Sequence, residues 1–264
     1  MHSLLIAALA AAAAATPMMG TSYSAYNPSA TTATTTYTTL GNPTAVPNPV
    51  PSKGTIANLL TQDNRVARFK EIQKEVEEGN LALKFDFNPA ANPNATVGLG
   101  GQVDLASRAN FPILTDLGIS AAGVFFNPCG LNTPHIHPDA TEFFTLVTET
   151  SMLTGFVLEN GLSTEFNTTL TQFQGTVFPQ GSIHFQQNLD CKPAVGIAGL
   201  NSEDPGASSV AQNFLINIDP AIVDATLGFP KQIDASNFAQ FKANIPVSIA
   251  KGVEECLKRC NIAY

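Results

Sequence analysis

The chain has 264 residues and a formal net charge of −8, with 44% hydrophobic but only 13% charged residues. That charged share is about half the ~25% of ordinary soluble domains, which suits a large buried core and excludes a wholly disordered chain. With 13 Lys and Arg against 21 Asp and Glu, there is no basic footprint for nucleic acid, and no basic helix marks a membrane-surface element.

The first 15 residues read as a secretory leader. Leu4 to Ala15 is an apolar run of mostly small side chains, too short to span a bilayer, with small residues where a signal peptidase cuts. Residues 16–54 form an uncharged Ser/Thr/Pro arm up to Lys53 that buries too little apolar surface to offset its ordering entropy, so it is expected to be disordered and open to O-glycosylation. The folded domain is expected over 55–264. It starts with a helix capped by Asp63, with Val66, Phe69, Ile72 and Val76 on its apolar face and Gly79 as its stop.

After this helix the pattern becomes β. Phe85, Phe87, Val97 and Val103 sit among turn residues. The runs ISAAGVFF, EFFTLVT, MLTGFVLE, TVF, SIHFQ and AVGIAGL come next, separated by Asn160-Gly161 and Pro179-Gln180-Gly181. Closely spaced short strands predict an all-β sandwich or barrel. The C-terminal part turns helical: Asp219-Pro220 caps one helix, Asp234 a second, and Pro246 opens a third running toward Cys260. Asn94 and Asn167 head N-glycosylation sequons.

Only three histidines remain once the leader is removed: His135, His137 and His184. On a strand, His135 and His137 point to one side. Glu142 lies five residues on, and His184 sits beyond a Pro-x-Gly turn on a strand able to face the first. Three imidazoles and a carboxylate leave two open positions on an octahedral ion and suit Mn, Fe, Co, Ni or Zn.

Two stretches carry a family resemblance. PCGLNTPHIHPDATE (128–142) resembles the first germin/cupin motif, and FPQGSIHFQQN (178–188) the second. The segment LNSEDPGASSVAQNFLINIDPAIV resembles the region after the second motif in germin-like and spherulin-like proteins, and the likeness spans roughly 85–245. It implies a single-cupin jelly-roll β-barrel with an N-terminal helix and C-terminal helices, and His135, His137, Glu142 and His184 as ligands, with manganese the usual ion. It also implies a secreted protein acting on a small molecule, with no nucleic-acid or membrane partner. Three positions depart from the pattern: Phe173 and Glu149 stand where the motifs have Gly, and Cys129 where plant germins have Gly.

If the histidines converge on one metal, Cys129 and Cys191 also come close, so a Cys129–Cys191 bridge is expected. Cys256 and Cys260, four apart in a predicted helix, would make a strained pair, and an inter-subunit bridge or a break in the helix stays open. Strand parity puts Glu142, Phe144 and Leu146 inside and Phe143 outside. Asn188 is expected to bond near the ligands, and Phe185 to pack outward. With the apolar tail (Ile222, Val223, Leu227, Phe229, Phe238, Phe241), the exposed Phe143 predicts a homo-oligomer, the hexamer being the family-based expectation.

The resemblance implies an oxidoreductase acting on superoxide or oxalate. Asn132 matches one of the two Asn that hold oxalate in the oxidising relatives. The other position is Ala122, which favours superoxide. The alternative is a non-catalytic wall, spore-coat or encystment protein.

Overall fold

The computed structural model describes residues 41, 44–95, 97–162, 164–228, 230, 238–246 and 249–263. The leader, most of the arm, Asp234 and Phe229 lie outside the described residues.

Helices α1 (Thr55–Leu60) and α2 (Arg65–Glu77) lead into the barrel. The cap of α2 is Asn64, whose side chain accepts from the Ala67 N–H (3.0 Å), in place of the expected Asp63. Its inner face also differs from the expected stripe: Arg68 and Ile72 are buried while Val66 is exposed. Arg68 belongs inside because its guanidinium reaches the Asp116 carboxylate (2.6 Å) and its stem covers apolar surface. Upstream of α1, Asn48 is already fixed to the Asp86 carbonyl (2.8 Å) and the Asn92 side chain (2.9 Å).

Among the described residues twelve strands come after them: β1 (Val97–Gly98), β2 (Gly101–Ala106), β3 (Ser120–Phe126), β4 (Gly130–Ile136), β5 (Glu142–Leu146), β6 (Met152–Val157), β7 (Phe166–Leu170), β8 (Gly175–Phe178), β9 (Ile183–Asn188), β10 (Ala194–Leu200), β11 (Ser208–Ser209) and β12 (Ala250–Lys251). They form two six-stranded antiparallel sheets. One runs β1-β2-β3-β10-β5-β8; the other runs β11-β4-β9-β6-β7, with β12 also on β4. The expected all-β cupin-type core with flanking helices is therefore present. The turns fall at the expected dipeptides, Gly161 and Gly181 both adopting positive φ. Phe85 and Phe87 are not in strands; with Phe111 they form a ring cluster.

Between the sheets lie Val124, Phe126, Phe144, Leu146, Met152, Phe178 and Leu200. Period-two alternation puts Phe144 and Leu146 fully inside and leaves Phe143 at 56% exposure, as strand parity predicts. The Phe144 ring sits where a side chain at Gly196 would be, since a Cβ there would meet Phe144 Cζ at 2.1 Å. Phe185 faces the other way and packs over Gly155.

Two departures from the family pattern have a backbone explanation. Cys129 and Phe173 have φ of 58° and 62°, the left-handed region that favours glycine. Phe173, 75% exposed, sits in the turn closed by the Gln174 N–H to the Thr171 carbonyl (3.0 Å). Phe173→Gly is expected to stabilise the fold by about 1 kcal/mol, since relief of ~1–2 kcal/mol outweighs the added unfolded-chain entropy. A thermal midpoint that falls would contradict this.

On β2, Asp104 is 1% exposed. Gln102 Nε2 donates to its Oδ1 (2.7 Å), and Oδ2 has no partner. Burial pushes this carboxyl from 3.8 up to about 6 against that hydrogen bond. Below pH 3.8 the group is protonated in both folded and unfolded chains and costs nothing. As pH rises toward 6 the unfolded chain ionises first, so stability is lost, by roughly 3 kcal/mol at about 1.4 kcal/mol per pH unit. Asp104→Asn keeps the Gln102 bond but leaves its own N–H group without an acceptor. It is expected to gain about 2 kcal/mol at neutral pH and to lose about 1 kcal/mol at pH 3.5, where the ionisation penalty is gone and only the orphaned N–H remains. Urea midpoints at the two pH values measure it, and equal gains at both would refute the assignment.

The C-terminal part contains the turn α3 (Val210–Gln212) running into a π-helical stretch (Asn213–Asn217), then α4 (Pro220–Thr226), α5 (Phe238–Ala243) and α6 (Glu254–Arg259). Asp219 caps α4 as expected, accepting from the Ala221 N–H (2.9 Å). Where a helix is expected from Pro246 toward Cys260, strand β12 pairs with Leu131 and Gly130, and among the described residues of that span α6 alone is helical.

The expected Cys129–Cys191 bridge is corrected, and Cys256 and Cys260, whose pairing the sequence leaves open, do not bond to each other. Cys129 pairs with Cys256, and Cys191 with Cys260. Cys129 and Cys191 do lie side by side, the Cys129 N–H donating to the Asp190 carbonyl (3.0 Å). Helix α6, however, lays its one-turn-apart cysteines across both. Residues at i and i+4 share a helix face, so each finds a partner off the helix and neither needs the strained local bridge.

Candidate metal centre

The four expected ligands converge. His135 lies one residue before the end of β4, His137 comes just after the strand, Glu142 opens β5 and His184 lies near the start of β9. His135 and His184 are register partners across β4 and β9. Their ring centroids are 4.2 Å apart, and those of His137 lie 5.2 and 5.3 Å from them. Glu142 Oε2 is 3.0 Å from His137 Nε2 and 3.5 Å from His184 Nε2. One donor atom from each of the four falls within 4.8 Å of the others.

A bulge aims His135. Between Asn132, opposite Gln186, and His135, opposite His184, β4 spends three residues against two on β9. The extra residue falls at Thr133-Pro134, where a proline without an N–H is tolerated. The bulge lets Asn132 and His135 serve the same cluster despite opposite strand parity.

Backbone carbonyls set the tautomers. His135 Nδ1 faces the Thr133 carbonyl (2.8 Å), His184 Nδ1 that of Ser182 (3.0 Å) and His137 Nδ1 that of Gly206 (2.5 Å). Each Nδ1 therefore carries the proton, and each Nε2 turns a lone pair toward the centre. Phe178 stacks on His184 (centroids 4.5 Å, 15° between planes) and fixes its ring.

Burial alone pushes the Glu142 carboxyl up, but the His137 and His184 imidazoles beside it and the charges of His135 and His184 bring it down to about 2. Burial and the neighbouring His184 lower His135 to about 3 against the attraction of Glu142. For His137, burial is outweighed by the Glu142 hydrogen bond and charge and by the Gly206 carbonyl, so its pKa is raised. A divalent cation fits this set: three inward lone pairs, one carboxylate, and a buried His184 Nε2 with no hydrogen-bond partner.

Glu142 is tied to Asn132 through a residue that sequence reasoning passed over. Asn132 Nδ2 donates to Gln186 Oε1 (2.8 Å), and Gln186 Nε2 points to Glu142 Oε1 (3.4 Å). Gln186 lies two residues after His184, so strand parity alone carried the signal. Asn188, the expected neighbour of the ligands, instead donates to the Asn127 and Lys192 carbonyls (3.0 and 2.7 Å) and holds the turn after β9. Ala122 is buried among the barrel-lining residues.

A two-sheet β core that turns three imidazoles and a carboxylate onto one point defines a cupin. The Cupin family model matches residues 87–234, and the chain belongs to that family. Within it the chain is related to spherulin-like and germin-like proteins. Spherulin-1B of Physarum polycephalum is 32% identical over 221 residues, covering 83% of this chain and 84% of the relative. Germin-like protein 8-5 of Oryza sativa subsp. japonica is 40% identical over 157 residues, 58% of this chain and 69% of the relative. Among solved structures, an oxalate oxidase superposes with a TM-score of 0.50 at 27% identity, over 55% of this chain and 71% of that one.

Proposed function

We propose that this protein is a secreted, manganese-binding germin-type cupin that acts as an oxidoreductase on superoxide, with oxalate the lesser substrate. Convergence of the three Nε2 lone pairs and the Glu142 carboxylate carries the reading. His135, His137, Glu142 and His184 would hold the ion, which supplies one-electron redox chemistry when bound. The Asn132–Gln186 pair keeps Glu142 Oε1 occupied and leaves Oε2 for the centre. Asn132 would bind the substrate. Ala122 offers no donor to a dicarboxylate, and a missing donor at developing charge costs ~10²–10³ in rate. Superoxide asks only for an accessible redox ion.

Among the described residues no helix is long and apolar enough to cross a membrane. Secretion rests on the leader at 1–15. Residues 16–54 would form the arm, its end lying against the barrel from Asn48, and 55–264 the cupin domain. The exposed outer-face Phe143, Val177 and Ile197, with Ile222 on α4 and Leu227 at its C-cap, support a homo-oligomer. A mass near one chain in light scattering on deglycosylated protein would oppose it.

Elemental analysis of the purified protein, and then superoxide and oxalate assays on the manganese-loaded form, test the activity. Superoxide turnover well above oxalate turnover is expected. Silence on both with manganese bound would favour the second reading, a non-catalytic protein of spherulin type. That reading draws on the spherulin relative covering 83% of this chain, against 58% for the germin-like one.

A further inference from the structure

The two disulfides lie against each other. Cys260 Sγ is 3.4 Å from Cys129 Sγ although each is bonded elsewhere, and the sulfurs of Cys129, Cys256 and Cys260 all fall within 4.8 Å of one another. Their surroundings differ. Cys191 is exposed and Cys260 half-buried, whereas Cys129 and Cys256 are buried. Arg259 Nη2 sits 3.4 Å from Cys256 Sγ and also donates to the Leu189 carbonyl.

We infer that these four cysteines form a thiol–disulfide relay in which α6 exchanges its attachment to Cys129 from Cys256 to Cys260. The co-reactant is a low-molecular-weight thiol. Its thiolate attacks the exposed Cys191 sulfur, forming a mixed disulfide and breaking Cys191–Cys260, and Cys260 leaves as a thiolate. Cys260 then attacks Cys129: the Cys129–Cys260 bond forms, Cys129–Cys256 breaks, and Cys256 leaves as a thiolate. Two electrons stay in the sulfur pool throughout, and a proton from water can neutralise the Cys256 thiolate.

Geometry favours each step. In the second, the sulfurs close from 3.4 Å to the ~2.0 Å of a bond. The three sulfurs form a bent triangle while Cys260 is bonded to Cys191; once freed, its side chain can rotate into line with the bond it attacks. Thiolate leaving groups depart faster when stabilised, and the Arg259 guanidinium lies beside the one that leaves. Glu255 pairs with the same guanidinium (3.6 Å) but from the solvent side, and is 81% exposed. The exchange moves the tether from the first turn of α6 to its end while keeping the helix bonded to the start of β4.

Cys191→Ser makes Cys260 a free thiol from the outset. After equilibration at pH 8, alkylation and peptide mapping under non-reducing conditions, Cys129 is expected in bridges to both Cys256 and Cys260, the latter in at least about a tenth of molecules. Should this variant fold poorly, the full wild-type chain in a glutathione redox buffer offers the same readout. The Cys129–Cys260 peptide in either protein supports the relay. Its absence from both, with Cys260 fully alkylated in the variant, overturns it. Arg259→Gln is expected to slow the exchange several-fold, and an unchanged rate would overturn the role given to Arg259.

Discussion

His184→Ala is expected to strip the metal, dropping affinity by more than ~100-fold, since even partners that only hydrogen-bond to ligands cost 10–100-fold when lost. His184 is the most buried of the three imidazoles, and its Nε2 has no hydrogen-bond partner. Its removal also leaves the Phe178 ring without its stacked neighbour. Glu165→Ala, at an exposed carboxylate that bonds Asn167 (3.0 Å), is expected to keep the metal content of the parent. Metal per chain after dialysis against a weak chelator decides the matter. A His184→Ala protein that still holds one ion per chain would refute the four-ligand reading.

Removing the Cys129–Cys256 bridge is expected to cost a large share of the stability. The bridge spans 127 residues of sequence. With Cys191–Cys260 intact the loop it closes is shorter, yet loop-closure entropy still assigns it about 4 kcal/mol. The Cys129→Ala, Cys256→Ala protein should therefore melt roughly 10 °C lower, at ~2–4 °C per kcal/mol for a domain of this size. Calorimetry on the two proteins at equal metal loading measures it. A shift under about 2 °C would mean that the pairing of β12 with β4 holds this end of the barrel on its own.

Much of the fold was legible in the residues. Period-two alternation placed Phe144, Leu146 and Phe143 correctly, because a strand with one buried face has little freedom of register. The two short motifs located all four residues of the buried cluster. The cysteine pairing was not legible. Spacing showed that Cys256 and Cys260 share a helix face, but nothing local says which strand ends that face meets. The β4 bulge was hidden for a related reason: Pro134 marks an irregularity without stating its size. Gln186 was in plain view on the His184 side of β9, overlooked in favour of a residue that proved to hold a turn. The helix expected after Pro246 failed because Ala250 and Lys251 find an open edge on β4, and tertiary pairing overrides a weak local preference.

The β4–β9 pair is fastened at both ends. At one end Cys129 and Cys191 anchor it to α6; at the other, His135 and His184 turn toward the shared centre. A ribbon held twice frays only when both fastenings open. Amide hydrogens along Leu131–Gln187 and Asn132–Gln186 should therefore exchange among the slowest in the protein. Chelation would release only the His end, reducing and alkylating the cysteines only the other. Exchange profiles under the two treatments should be mirror images along the ribbon, which makes the loss of the ion and the loss of the fold separately observable.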